Sequence, residues 1–399
     1  MPKIVLINVK YSPNLGDGII AECLEAEIAR LHPEVTVESL DLAGRETFGV
    51  GLDEKRGTVL RILNQLPSLI RRLAIFIVLS ILIRFRYQKV WNRVLDAADG
   101  AVLGGGQIIA DADLNFPLKI NAALRTVDKA DTPIAIFGVG VAAHMSRTGQ
   151  SLFARSFANS TLTSVAVRDL QSQENWSALF EEEVGKPAEL CLDPGFLACD
   201  RYDVGPTPAA SRVPTIGLGI LNPSVLALHS DLDESHLQTS LRSFWIDLVE
   251  ELQKRGIEPV LFTNGPADDE AFAHSIAQES NLSGLRIAAR PRIPSELAAI
   301  IGSFDAVAAH RLHATIIAYS FRIPHVGLRW DPKMTAFMHS VGREDWLANA
   351  DVREVGNVAE MLENSLGSEI DAKKHAEILQ SARRSIEHCT NRLLGPTPV

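Results

Sequence analysis

Cysteine is scarce in this sequence of 399 residues, and its four copies are widely separated. They are Cys23, Cys191, Cys199 and Cys389, and no two of them form a Cys-x-x-Cys motif. This pattern argues against a disulfide framework, a cysteine-ligated zinc site and a redox dithiol. No other cluster of metal-ligating residues stands out, so we expect a protein of the reducing cytoplasm that holds no metal ion.

The chain also lacks an excess of positive charge, because 39 Lys and Arg stand against 49 Asp and Glu, which gives a net charge of −10. Proteins that bind nucleic acid usually present a basic face, so this balance argues against nucleic acid as a partner. It leaves room for a small anionic substrate in a local basic pocket. The composition is that of a soluble globular protein, and the length suggests two domains.

One segment, at about 55–95, departs from the acidic character of the rest. No acidic residue occurs between Glu54 and Asp96, and nine Lys and Arg surround an apolar run at 73–83. As a helix this run would reach about 16 Å, too short for a hydrocarbon core of about 30 Å. Two alternatives stay open for residues 69–86: a buried core helix with basic ends, or an insertion that docks on an anionic membrane surface.

Short apolar runs alternate with helical patterns along the chain, which predicts parallel strands joined by right-handed helical crossovers. The alternation restarts after a proline-rich stretch at 201–214, the best linker candidate. We therefore predict an α/β protein with two doubly wound, Rossmann-like domains, 1–205 and 206–399, facing a cleft, with a terminal helix in the second. The predicted strands begin at Ile4, Val35, Gly100, Ile134, Ser164 and Glu189, and then at Thr215, Glu258, Leu285, Ala306 and His325.

Two glycine loops follow predicted strands of the first domain. The first contains Asn14, Gly16 and Asp17, and the second contains Gly105 and Gly106. Glycine allows a ligand close to the backbone, and helix N-termini favour anions. Asp17 could equally cap its helix, and the second loop could be only a tight turn.

Two charged residues end later strands of the first domain. Arg168 is either paired with the neighbouring Asp169 or directed into the cleft to bind an anion. Asp193 begins a Pro-Gly turn that is structural in itself, and its carboxylate is a candidate acid or base.

The densest cluster is His310, Arg311 and His313, where an apolar strand gives way to a helix. Positive side chains are unfavourable at a helix N-terminus, whose dipole is itself positive, unless an anion lies among them. Arginine can grip a carboxylate or phosphate through two hydrogen bonds, and histidine can donate a proton near neutral pH. The alternative is a set of solvated surface residues.

Further polar residues follow the neighbouring strands. Arg329 and Lys333 come after the next strand along the chain, and Asn264 lies in a turn after an earlier one. Two basic loops at one sheet edge suggest a dianionic or phosphorylated small substrate.

Taken in order, these motifs resemble the polysaccharide pyruvyl transferase family. The resemblance implies a two-domain arrangement like that of type-B glycosyltransferases. It also implies transfer of a pyruvyl group from phosphoenolpyruvate to sugar hydroxyls, usually as a cyclic ketal, in cell-surface or exopolysaccharide biosynthesis. The family's Arg-Leu-His element, associated with phosphoenolpyruvate, corresponds to Arg311, Leu312 and His313. The basic apolar insertion departs from the family pattern.

The chemistry of phosphoenolpyruvate then suggests roles for these residues. His313, or alternatively Asp193 or Asp17, supplies a proton to the methylene carbon, and Asp17 takes the proton of the attacking hydroxyl. Arg311, Arg168 and Lys333 hold the carboxylate and phosphate and stabilise the phosphate as it leaves. No cofactor is expected. The predicted catalytic residues are His313, Arg311 and Asp17, and the predicted substrate-binding residues are Asn14, Gly16, Gly105, Gly106, Arg168, Asp193, Asn264, His310, Leu312, Arg329 and Lys333.

The expected partners are phosphoenolpyruvate and a sugar or lipid-linked oligosaccharide, with peripheral contact to an anionic membrane at the inner face of the plasma membrane. Two other functions stay open from the sequence. One is a glycosyltransferase of the same two-domain build that uses a nucleotide sugar, and the other is a non-catalytic partner that binds a sugar or an anion.

Overall fold

A computed structural model describes residues 1–49, 68–111, 113–128, 132–204, 213–227, 234–279 and 284–395. The chain divides into two compact units, each built on a six-stranded parallel sheet. The first unit contains Met1–Ser12, Asp17–Pro194 and Gln380–Val399, and the second contains Pro13–Gly16 and Gly195–Leu379. Residues 205–212 of the predicted linker lie outside the described residues.

The sheet of the first unit has the strand order β2-β1-β3-β4-β5-β6, so the direction of winding reverses between β1 and β3. Strands β1, β3 and β4 read as nearly continuous apolar runs because helices cover both faces of a parallel sheet. The strands are β1 Lys3–Asn8, β2 Thr36–Asp41, β3 Gly100–Gly104, β4 Ile134–Val139, β5 Leu162–Val167 and β6 Glu189–Leu190.

The helices of this unit begin at polar caps where their sequence offers one. The Ser146 hydroxyl accepts from the Gly149 amide at 3.1 Å, and the Asp169 carboxylate accepts from the Ser172 amide at 2.7 Å. The helices are α1 Leu15–Leu31, α2 Ser68–Leu82, α3 Gln88–Leu95, α4 Asn115–Asp128, α5 Arg147–Asn159, α6 Leu170–Trp176 and α7 Glu182–Val184, with π-helical turns at Ile83–Tyr87 and Ser177–Glu181.

The second unit repeats the architecture with the order β12-β11-β10-β7-β8-β9, and its winding reverses between β7 and β10. Its strands are β7 Thr215–Gly219, β8 Glu258–Phe262, β9 Arg286–Ile287, β10 Ala306–Ala309, β11 His325–Arg329 and β12 Leu347–Asn349. Its helices are α8 Ala198–Arg201, α9 Pro223–Ala227, α10 Glu234–Lys254, α11 Ala267–Glu279, α12 Pro294–Gly302, α13 Leu312–Ser320, α14 Pro332–Ser340, α15 Val355–Ser365 and α16 Ala372–Leu394, with 3₁₀ turns at Pro194–Leu197, Glu344–Trp346 and Val352–Glu354.

Two parallel, doubly wound sheets confirm the predicted fold. The units divide at Pro194 and Gly195, whereas the sequence suggested a division at 205 and 206. The predicted terminal helix is α16, and its residues from Gln380 onward belong to the first unit. There its apolar residues are buried at helical spacing: Ala382, Ile386, Cys389 and Leu393.

Residues 55–67 of the basic apolar segment lie outside the described residues, and the described part, 68–95, has two portions with different surroundings. Tyr87, Trp91 and Leu95 are buried in the core of the first unit, and the Trp91 indole N–H donates to the Asp41 carbonyl at 3.1 Å. Most of the large apolar side chains that the structure describes in α2 are exposed instead. The buried-core alternative therefore does not describe α2. The buried side chains of this segment are those of Ile83, Tyr87, Trp91, Val94 and Leu95. Among the helices that the structure describes, none is both long enough and apolar enough to cross a membrane.

His325 is the first residue of β11, and its imidazole is fully buried. Its Nδ1 lies 3.0 Å from the Ile323 carbonyl, and its ring packs against those of Tyr319 and Phe337. Burial, with help from the positive charge of Arg343, lowers the pKa of His325 from 6.5 to about 3. The stability that neutral His325 provides is thus complete above pH 6.5 and is lost as the pH falls toward 3, because the unfolded chain takes up the proton first.

We expect His325→Phe to flatten the acid side of the stability profile. The free energy of unfolding should fall less steeply between about pH 6 and pH 4, by about 1.4 kcal/mol per pH unit, since the titrating group is gone. Urea unfolding at a series of pH values measures this, with exposed His339→Gln as the control. Parallel profiles for wild type and His325→Phe would contradict the assignment.

Candidate functional site

The second unit offers a site where its winding reverses. In open α/β sheets, ligands bind outside the carboxyl ends of the strands at such a point. The loops that follow β7, β8, β10 and β11 carry residues 220–222, 263–266, 310–311 and 330–331. Six of the predicted site residues lie in these loops or in the first turns of the helices that follow them: Asn264, His310, Arg311, Leu312, His313 and Lys333.

An ion pair joins two of these loops. Arg311, at the N-cap of α13, donates from Nε and Nη2 to a single oxygen, Asp269 Oδ2, at 2.8 and 2.5 Å. The other oxygen of Asp269 accepts from the Asn222 amide at 2.9 Å. Asp269 therefore ties the loop after β7 to the loop after β10, across the point where the winding reverses.

This ion pair limits how Arg311 can meet a ligand. Its side chain is 16% exposed, that of Asp269 is 1% exposed, and within the described residues Asp269 occupies two of its three guanidinium nitrogens. Nη1 is the nitrogen left for an anion. Burial raises the pKa of Asp269, and the charge of Arg311 opposes that rise. Removing either partner would leave the other charge poorly solvated.

Sequence reasoning did not find Asp269. It lies among three acids that open α11, Asp268, Asp269 and Glu270, which is an ordinary pattern for the first turn of a helix. Only the burial of the middle acid distinguishes it, because Asp268 is exposed whereas Asp269 is not.

The segment Pro13–Gly16 packs onto the loops of the second unit. The Leu15 amide donates to the Asn264 carbonyl at 2.9 Å. Gly265 has φ +107°, and a Cβ there would lie 2.7 Å from the Pro13 carbonyl oxygen. The predicted residues Asn14 and Asn264 are thereby brought together, although 250 positions separate them in the sequence.

Gly16 lies against the imidazole of His313. A Cβ on Gly16 would lie 2.7 Å from both Cβ and Nδ1 of His313, so only glycine permits this approach. Nearby, Asn264 is 1% exposed, and its amide Nδ2 has no hydrogen-bond partner among the described residues. A buried donor in this state is costly, and a ligand oxygen would satisfy it.

His310 has different surroundings from its two neighbours. Its ring is buried against Trp245 with the centroids 5.6 Å apart, and burial lowers its pKa from 6.5 to about 3. A histidine so buried stays neutral near pH 7 and packs in the core, which leaves proton transfer to other groups. Its carbonyl accepts from the Trp330 indole N–H at 2.6 Å and so holds the loops after β10 and β11 together.

The remaining predicted residues of this unit lie at the end of β11 and on the first turns of α13 and α14. Arg329 is exposed at the end of β11, and Lys333 Nζ lies 3.5 Å from Asp331, which caps α14. Leu312 opens α13, where its carbonyl accepts from the Thr315 hydroxyl at 2.7 Å.

In the first unit, Asp17 and two glycines meet where the winding reverses between β1 and β3. Gly105 and Gly106 have φ of +81° and +71°, which favours glycine. A Cβ on Gly106 would lie 3.2 Å from Asp17 Oδ1. The structure therefore brings these three predicted residues together within this unit.

Arg168 and Asp193 also lie in the first unit, and both are largely buried. Arg168 Nε is 3.4 Å from Asp169 Oδ2, and the guanidinium lies against Gly140, where a Cβ would be 2.8 Å from Nη2. Of the two alternatives for Arg168, the structure shows the ion pair. Its binding of an anion stays a prediction, as does the acid or base role of Asp193.

A metal centre was not expected from the sequence. In the part of the chain that the structure describes, no group of three or more His, Cys, Asp or Glu side chains is arranged to hold a metal ion.

Comparison of the chain with solved structures reveals the same class of fold. A UDP-GlcNAc 2-epimerase from Neisseria meningitidis bound to UDP-GlcNAc has a TM-score of 0.56 at 9% identity, over 99% of this chain and 100% of that one. The S. aureus MnaA–UDP co-structure gives 0.56 at 11% identity, over 100% and 99%. The UDP-GlcNAc 2-epimerase of Methanocaldococcus jannaschii gives 0.54 at 9%, over 98% and 99%. At identities this low, the structural similarity shows the fold alone, which is one of two Rossmann-like domains.

Comparison of the sequence with family models identifies the protein more specifically than its fold does. Residues 14–332 match the model of the family described as polysaccharide pyruvyl transferase. The match spans more than half of the chain and includes most of the site described above, so the protein belongs to the polysaccharide pyruvyl transferase family. It is accordingly a transferase, and the family implies a sugar or polysaccharide acceptor. A comparison with curated proteins gives no significant match.

We expect Asp269→Asn to loosen the second unit, because Arg311 would lose its charged partner. The free energy of unfolding should fall by about 2 kcal/mol. Asp268→Asn is a matched control one residue away on the same helix turn, and its exposed side chain should change stability by no more than about 0.5 kcal/mol. Urea unfolding of both variants measures this. Equal stabilities would show that the ion pair contributes nothing.

With phosphoenolpyruvate, the donor that the family resemblance implies, we expect Gly16→Ala to weaken binding by at least about tenfold. The new methyl group would push the segment Pro13–Gly16 away from the first turn of α13 and so disturb the turn that contains Asn264. Calorimetric titration measures the affinity. The control is Gly356→Ala, since Gly356 also lies in a helix and a Cβ there meets nothing within 4 Å. Unchanged affinity in Gly16→Ala would show that the packing of Pro13–Gly16 on the second unit does not shape the binding site.

Proposed function

We propose that this transferase moves a pyruvyl group from phosphoenolpyruvate to hydroxyls of a sugar, forming a cyclic ketal, in the biosynthesis of a cell-surface or exopolysaccharide. The family assignment supports the reaction class. The observation that carries the proposal is the grouping, within one unit, of Arg311, His313 and Asn264, whose buried amide has no partner in the part of the chain that the structure describes.

The donor's chemistry matches these groups. Phosphoenolpyruvate carries a carboxylate and a phosphate on the same carbon, so it needs cations and hydrogen-bond donors on more than one side. Arg311 supplies Nη1, the Asn264 amide supplies a neutral donor, and Lys333 supplies a second cation in the first turn of α14. The N-terminus of α13 adds its own partial positive charge.

The reaction begins when the methylene carbon of the donor gains a proton, which makes the central carbon electrophilic. His313 is the proposed proton donor, because it is the histidine of the Arg-Leu-His element and, unlike His310, is only partly buried. One sugar hydroxyl then bonds to the central carbon. The bond from that carbon to the phosphate oxygen breaks, and a second hydroxyl closes the ketal. Of the two hydroxyl protons, one replaces the proton that His313 gave and the other leaves with phosphate.

The acceptor and the place of reaction belong to the same proposal. Repeat units of exopolysaccharides are built on lipid carriers, so a lipid-linked oligosaccharide at the inner face of the plasma membrane is the acceptor we propose. No metal, cofactor or nucleic acid takes part. Asp17, in the first unit, stays the predicted base for the acceptor hydroxyl.

Ligand stabilisation tests the choice of donor. Phosphoenolpyruvate should raise the thermal unfolding temperature of the full chain, and nucleotide sugars should not, because the proposed site has donors for a carboxylate and a phosphate. Stabilisation by a nucleotide sugar alone would favour the glycosyltransferase alternative. Binding of phosphoenolpyruvate with no phosphate release on any lipid-linked acceptor would favour the non-catalytic one.

We expect His313→Gln to lower turnover by at least about a hundredfold while the affinity for phosphoenolpyruvate changes by only a few-fold, because the ring transfers a proton instead of holding the donor. Phosphate release and product mass with candidate lipid-linked sugars measure turnover. His274→Gln, at a largely exposed histidine of the same unit, is the control. Near-normal turnover in His313→Gln would rule out His313 as the proton donor.

A further inference from the structure

Helix α2 and the π-helical turn after it expose an unusual amount of apolar surface. Seven large apolar side chains between 70 and 85 are each more than 40% exposed, and we call them the apolar strip: Ile70, Leu73, Phe76, Ile77, Val78, Ile81 and Phe85. Soluble proteins seldom leave so many neighbouring apolar side chains in water unless the surface binds something.

The strip has the geometry of a helix that lies along an interface. Leu73, Ile77, Ile81 and Phe85 recur at spacings of four, so they line one side of the helix. From Ile70 to Phe85 the strip extends about 22 Å at the helical rise. It is held to the protein at its far end, where Ile83 and Tyr87 enter the core of the first unit.

Positive charge accompanies the strip. Arg84, Arg86 and Lys89 are exposed at its anchored end and form no ion pair among the described residues. Two other cations are neutralised locally, Arg71 by Asp113 at 3.2 Å and Arg93 by Glu46. The chain as a whole carries a net charge of −10, so this positive end is a local exception.

We propose that the apolar strip and the cations Arg84, Arg86 and Lys89 form a docking surface for an anionic bilayer. The apolar side chains enter the boundary between headgroups and acyl chains, and the three cations bind lipid phosphates. The surface takes a partner that offers apolar and anionic groups together. A second copy of this chain fits less well, because a twofold interface would bring the same cations against each other.

The surface belongs to the first unit and does not depend on the proposed reaction. It adds to that proposal the means by which the enzyme reaches a lipid-linked acceptor. The two ideas can therefore fail separately: vesicle binding tests the surface, and phosphoenolpyruvate binding tests the site.

The experiment is co-sedimentation of the full chain with two kinds of vesicle, phosphatidylcholine alone and phosphatidylcholine mixed with phosphatidylglycerol. The apolar variant is Leu73→Gln with Ile77→Gln and Ile81→Gln, all at exposed positions. Its matched control is Leu170→Gln with Ile293→Gln and Val352→Gln, exposed apolar residues elsewhere. The charge variant is Arg84→Gln with Arg86→Gln and Lys89→Gln.

Wild type and control should bind the anionic vesicles, and the apolar variant should bind at least about tenfold more weakly. The charge variant should lose about fivefold per cation removed on anionic vesicles, and salt should have the same effect on wild type. All four proteins should bind phosphoenolpyruvate alike. Equal sedimentation of wild type and apolar variant overturns the proposal. The proposal is also overturned if wild type is a dimer, the apolar variant is a monomer and neither protein binds vesicles.

Discussion

The ion pair between Asp269 and Arg311 is the interaction on which the candidate site depends. A helix N-terminus is a poor place for an arginine, yet Arg311 is held there because a buried carboxylate offsets its charge. The same carboxylate binds the amide of Asn222, so the loops after β7 and β10 are fixed relative to each other. Arg311 thus reaches the site already ordered, which lowers the entropy cost of binding an anion.

Around that pair the second unit collects groups from distant parts of the sequence. The segment Pro13–Gly16 packs on the turn that contains Asn264, and Gly16 allows the chain to touch His313. Trp330 joins the loop after β11 to the carbonyl of His310. Each link is a hydrogen bond or a close contact at a strand end, so the parallel sheet itself positions the site.

Much of this was predictable from the sequence, and the reasons are local. Apolar runs bounded by glycine loops indicated the strands, and the order of the motifs indicated the family. The partners of single side chains were not predictable. Nothing in three successive acids at 268–270 marks Asp269 as the buried one, and nothing in the sequence shows that the His310 ring is buried in the core whereas the next residue, Arg311, is not. The short β12 was missed because three residues carry no periodicity. Whether α2 is buried or exposed was not predictable either, because burial depends on the elements packed around a helix and not on the spacing of its own apolar residues.

The account depends most on whether Arg311 binds the donor. Calorimetric titration of the full chain with phosphoenolpyruvate, comparing wild type with Arg311→Ala, tests this directly. The account predicts that affinity falls by about a hundredfold or more, since a charged hydrogen bond and the order around it are lost together. An Arg311→Ala protein that stays folded and binds phosphoenolpyruvate as tightly as wild type would contradict it.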